Sequence, residues 1–191
     1  MQEIFSGILK HYLDNNVGNC KIMSNKPTEG KRKGNWLDKY LFVNSTMYQA
    51  EIKNWCSHSM GGKAMKLYAT DEELVQYSHD RFIEQWDGLS QTFKYENVSK
   101  VLKPMKHQNF IKQDFEIKPL ICYWYPILST TLAYPIPFFD VKCQGHFSKV
   151  SFFSVSLYLR GLLKKDIYTI DIDTPNYDLR LQQIHKIFPS C

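Results

Sequence analysis

The chain has no Cys-x-x-Cys pair, no apolar run long enough to cross a membrane, no glycine-rich phosphate loop, no internal repeat and no low-complexity segment. Its five cysteines, Cys20, Cys56, Cys122, Cys143 and Cys191, are odd in number and scattered, which argues against a disulfide framework and for a reducing compartment. Cys56 and His58 have no second Cys/His pair at metal-ligand spacing, and a nucleophile and its base usually come from separate elements, so a zinc site and a thiol nucleophile are both rejected there. Without about 20 consecutive apolar residues there is no membrane helix, and Met1 leads into an amphipathic pattern rather than a signal peptide. A soluble, cytoplasmic protein is expected. Arginine is scarce, with four in all, and two of them, Arg160 and Arg180, are candidates for phosphate clamps or surface ion pairs.

What is present fits a globular protein: 191 residues, 43% apolar and 15% aromatic, enough for one domain over 1–191 with a full core. Twenty-four basic against nineteen acidic residues give a net charge of +5, compatible with a polyanionic partner.

The stretch that carries chemistry is Leu37 to Trp55, where two runs rich in aromatic and branched residues flank Asn44-Ser45. That pattern predicts a β-hairpin with a two-residue polar turn. Val43 then faces Thr46, and counting back along both strands sets Asp38 opposite Glu51. A four-residue loop would set Lys53 opposite Asp38 without changing the faces. Because side chains alternate, Asp38, Tyr40, Met47, Gln49, Glu51 and Lys53 share one face, while Leu37, Leu41, Val43, Tyr48, Ala50 and Ile52 share the other. Two carboxylates paired across strands repel unless a positive charge lies between them, and hard carboxylate oxygens suit Mg²⁺.

An acid, a hydrophobic strand and Glu-x-Lys on its neighbour resemble the PD-(D/E)XK nuclease superfamily over the first two thirds of the chain. Asp38 matches the family's first acid, Glu51 its second and Lys53 its lysine, with Leu37 in place of the proline before the Asp. The acid-x-Lys pattern occurs three times, at Glu51/Lys53, Glu116/Lys118 and Asp140/Lys142, and the first is selected by its hairpin partner acid and flanking helices. The resemblance implies an α/β, restriction endonuclease-like α-β-β-β-α-β core with a mixed central sheet over about 1–127, and a C-terminal α/β elaboration over about 128–191. It also implies a metal-dependent nuclease acting on phosphodiesters, DNA favoured over RNA. In it Asp38 and Glu51 would hold Mg²⁺, with Mn²⁺ as substitute and a strand carbonyl such as that of Ile52 assisting, and Lys53 would orient the attacking water. A homodimer is one way to cut both strands. The alternative is a non-catalytic nucleic-acid-binding or assembly module of the same fold; a third reading makes the hairpin an ordinary solvated face.

The remaining periodicities predict elements in the same order. Ile4, Phe5, Ile8, Leu9, Tyr12 and Leu13 form one helical stripe over Gln2 to Asn15, with Glu3 at its edge, either solvated or, as the resemblance implies, reaching the metal site. Asn19 to Ser24 reads as a strand and Lys31-Arg32-Lys33 as a basic loop, solvated or touching phosphates. Lys63 is a further phosphate candidate. Thr70 with Glu73 makes a capping box opening a helix through about Phe93, on which Gln85 and Gln91 are polar candidates or plain exposed residues. Strands are expected at Val98 to Met105, Lys118 to Ile127, Phe138 to Cys143 and Val150 to Val155. Ser154 or Ser156 should cap a helix through Lys165, Ile167 to Asp173 should form a half-buried strand, and Thr174-Pro175 should start a last helix with Leu181 facing inward. Asp171 and Asp173, on one face of that expected strand, are the rival carboxylate pair.

Overall fold

The computed structural model describes residues 2–24, 39–53, 70, 72–73, 76–77, 80, 116–124, 133, 136–142, 149–174, 178–179 and 181–183. Helix α1 spans Gln2–Asn16 and buries Phe5, Ile8, Leu9 and Leu13, the stripe its sequence predicts. It ends where the N–H groups of Val17 and Gly18 both donate to the Leu13 carbonyl, at 2.8 and 3.0 Å. Gly18 has φ +155°, and a Cβ there would stand 2.7 Å from Asn44 Oδ1, so the helix end needs glycine to sit against the hairpin turn.

Among the described residues a six-stranded sheet follows, in the order β1-β2-β3-β4-β6-β5. Its strands are β1 (Cys20–Ser24), β2 (Lys39–Val43), β3 (Thr46–Lys53), β4 (Glu116–Tyr123), β5 (Phe138–Lys142) and β6 (Lys149–Ser154). Strands β1, β2 and β3 form an antiparallel meander. Strand β4 lies parallel to both β3 and β6, and β5 closes the edge antiparallel to β6. The sheet is therefore mixed. Leu120 to Tyr123 of β4 are fully buried, as expected for an apolar run flanked by strands on both sides.

The hairpin register agrees with the two-residue loop: Val43 pairs with Thr46 and Lys39 with Ala50. Asn44 takes φ 52°, a left-handed conformation that asparagine tolerates well. Helix α2 (Val155–Leu163) starts directly at the end of β6, with Ser154 as its cap accepting from the Leu157 N–H. Leu41, Val43, Tyr48, Ala50, Ile52, Leu120, Cys122 and Phe153 pack on one face of the sheet against Phe5, Leu9 and Leu13 of α1 and Tyr158 and Leu162 of α2. Tyr12 stacks on Phe138 at 5.6 Å and meets Tyr158 edge-on at 5.2 Å, tying α1 to β5 and α2.

Several expectations need correction. The opposite face of the hairpin is not solvated, since Tyr40, Met47 and Gln49 are 2%, 0% and 0% exposed. Strand β4 starts at Glu116 and stops at Tyr123, with a bend at Trp124, rather than running to Ile127. Ile167 to Asp173 is irregular. Its Ile170 and Ile172 pack on the core, but among the described residues β1 and β5 are the outer strands of the sheet and neither pairs with it. Alternation there reflects packing against α1, where Ile172 Cβ lies 3.0 Å from the place a Gly7 Cβ would occupy. Leu181 is exposed rather than inward. The capping box is present, with the Thr70 N–H donating to Glu73 Oε2 at 2.9 Å and the Glu73 N–H to Thr70 Oγ1 at 3.2 Å. Glu72, Glu73, Gln76, Tyr77 and Asp80 are helical, while the strand expected at 98–105 lies outside the described residues.

Candidate functional site

Strand β3 sets Gln49, Glu51 and Lys53 on one sheet face, together with Tyr40 of β2, Ile121 and Tyr123 of β4 and Phe152 of β6. Gln49 pairs with Tyr40 across the hairpin and with Pro119 on β4; Lys53 pairs with Tyr123. Toward the carboxyl end of β3 the face opens. The Glu51 side chain keeps 12% and the Lys53 side chain 24% of its accessible surface, and Lys53 Nζ donates to Glu51 Oε1 at 2.8 Å.

The three acid-x-Lys motifs can now be separated by their surroundings. Glu116 and Lys118 pair at 3.2 Å, but with side chains 63% and 37% exposed, a geometry that contributes little. Asp140 accepts from Ser151 Oγ at 2.7 Å, on the edge strand. Both rivals lie on the face that packs under α1 and α2, where Glu116, Lys118, Asp140, Lys149 and Ser151 line a hollow of about 250 Å³. Glu116 pairs with Thr46, so this hollow is at the opposite end of the sheet from Glu51. Of the three, only Glu51/Lys53 is a shielded ion pair.

Glu3 and the rival pair Asp171 and Asp173 come together with Lys39 in the lining of a cavity of about 410 Å³ between α1, the start of β2 and the Ile170 to Asp173 segment. Lys39 pairs with Ala50, so this cavity opens at the same sheet end as Glu51 but on the α1 side. Glu3 is half-buried, and Asp171 and Asp173 are exposed. Among the described residues, no three His, Cys, Asp or Glu side chains gather as a metal site. Arg160 is exposed in the last turn of α2. Asp38, Cys56, His58, Lys63, Gln85, Gln91, Arg180 and the Lys31-Arg32-Lys33 run lie outside the described residues.

Sequence reasoning placed Gln49 on this face but gave it no role. Both polar atoms of its side chain are buried and meet no hydrogen-bond partner among the described residues. Such an amide costs about 1–3 kcal/mol. Burial pushes the neighbouring Tyr40 phenol up to about 12, so it stays protonated at neutral pH. The available signal was a Gln inside an otherwise strand-forming run, but its weight depends on the face being covered, which no local pattern reveals. No family model matches the chain, and neither a curated protein nor a solved structure is significantly similar to it.

Proposed function

We propose that the chain is a metal-dependent nuclease of restriction endonuclease-like fold that hydrolyses phosphodiester bonds, in DNA by preference. The observation that carries the reading is the Glu51–Lys53 pair, shielded at the carboxyl end of β3 while the two rival motifs are exposed or at a sheet edge. The element order supports it: a helix, an antiparallel three-stranded meander, helical residues at 72–73, 76–77 and 80, and a strand parallel to the third.

The donors fit a hard divalent cation. Glu51 offers carboxylate oxygen in a partly desolvated position that already attracts a positive charge, that of Lys53. In this reading Asp38, which lies outside the described residues, is the second carboxylate. Mg²⁺ or Mn²⁺, when bound, supplies positive charge against which the phosphoryl oxygens are polarised. Lys53 orients the attacking water and offsets charge building on the pentacovalent phosphorus. The shielded face lowers the local dielectric and strengthens both effects. Two copies of the chain acting together would cut both strands of a duplex.

The test incubates the chain with linear and supercoiled DNA and with RNA, in Mg²⁺, Mn²⁺ or chelator. Cleavage is expected with either metal and not in chelator. Lys53→Ala should abolish turnover and leave DNA affinity within a few fold, whereas Lys118→Ala and Lys142→Ala should still cut. Unchanged cleavage in excess chelator refutes the metal mechanism. DNA binding without cleavage by the unmodified chain in every metal favours the alternative, a non-catalytic nucleic-acid-binding module of the same fold.

A further inference from the structure

The Glu51 carboxylate stands between two potential donors on one face of one strand, Gln49 two residues before it and Lys53 two residues after. It takes the Lys53 ammonium at 2.8 Å. The Gln49 amide, 0% exposed, meets no partner among the described residues. Same-face neighbours on a strand have Cα atoms about 7 Å apart, a gap that a Gln and a Glu side chain span together. Around Gln49 the register places Tyr40 and Pro119.

We propose that Gln49 is a positioning residue for Glu51, its amide N–H taking over the carboxylate when the Lys53 ammonium leaves it. The proposal rests on the nuclease reading above. In that reading Glu51 must turn its oxygens to a cation while Lys53 serves the water, and an ammonium held on the same carboxylate would repel the cation. A neutral amide donor creates no such conflict. Carboxylates that hold cations are themselves oriented by hydrogen bonds, and removing such a partner weakens metal binding. The free protein thus keeps Glu51 with Lys53 and holds Gln49 in reserve on the other side.

The test uses the full chain and Mn²⁺ alone: thermal melts of wild type, Gln49→Met and Gln49→Leu across a Mn²⁺ titration, with DNA cleavage followed in parallel. In chelator both variants should melt at or above the wild-type temperature, because an apolar side chain of similar size replaces a buried amide without a partner. Both should nevertheless need about 10-fold more Mn²⁺ for half of the stabilising shift, and cleavage should fall with the same metal dependence. A role confined to folding would leave the Mn²⁺ midpoint unmoved, so equal midpoints overturn the positioning role while leaving the nuclease reading intact. Clear destabilisation of both variants in chelator also overturns it, since the amide would then be satisfied in the free protein. No Mn²⁺ shift in wild type overturns this role and the metal site together.

Discussion

The Glu51–Lys53 pair should show an interaction energy well above that of an ordinary surface ion pair. Exposed pairs measured by double-mutant cycles contribute about 0.2–1 kcal/mol, and breaking a fully buried pair costs about 3–5 kcal/mol. With side chains 12% and 24% exposed and a 2.8 Å contact, this pair falls between those limits. A coupling energy of about 1–2 kcal/mol is expected. The cycle comprises wild type, Glu51→Gln, Lys53→Met and the double variant, each unfolded in urea at pH 7 without divalent metal. Glu116 and Lys118 supply an internal control with the same i, i+2 spacing, a longer 3.2 Å contact and side chains 63% and 37% exposed. Their coupling should stay below about 0.5 kcal/mol and shrink in 0.5 M salt, where the screening length drops to a few ångströms. The inner pair should keep most of its coupling under the same salt. Equal couplings for the two pairs would show that the β3 site is no more shielded than the surface, and the choice of Glu51/Lys53 over its rivals would lose its physical basis.

Two further outcomes concern the scaffold around the site. Burial alone would raise the Asp14 pKa, but the hydrogen bonds from Lys10 and the Cys20 N–H, with the charges of Lys10 and His11, outweigh it and hold the carboxyl below 3.8. A carboxylate depressed in the folded state adds stability above its unfolded-chain value and loses it as pH falls through the folded one. Asp14→Ala should therefore lower stability at pH 7, modestly because the carboxylate is largely solvent-screened, with the two melting curves converging as pH falls through the depressed folded-state value; a pH-independent gap would contradict this. Gly161→Ala, in α2 where an added Cβ meets nothing within 4 Å, should raise stability by about 0.5–1 kcal/mol. Gly18→Ala, at φ +155° with Asn44 2.7 Å away, should instead lower it by about 1–3 kcal/mol; urea unfolding of the pair checks that the signs are opposite.

What the sequence determined by itself was local. The stripe from Ile4 to Leu13 fixed α1, Asn44-Ser45 marked the hairpin and its two faces but left its register open between a two- and a four-residue loop, and Thr70/Glu73 and the Ser154/Ser156 pair marked helix starts, because each depends on residues within one or two turns of chain. The shared face of Gln49, Glu51 and Lys53 followed from strand alternation alone. Tertiary structure decided the rest. It inserted β6 between β4 and β5, and left Ile167 to Asp173 without a partner strand despite its alternation. Most consequentially for function, it buried Tyr40, Met47 and Gln49 on the face that alternation had set opposite the apolar one. Three identical acid-x-Lys spacings became one shielded pair, one exposed pair and one edge-strand carboxylate held by a serine. Spacing sets which side chains share a face, whereas the dielectric around a carboxylate depends on segments tens of residues away in the chain, and only their packing decides which charge leaves water.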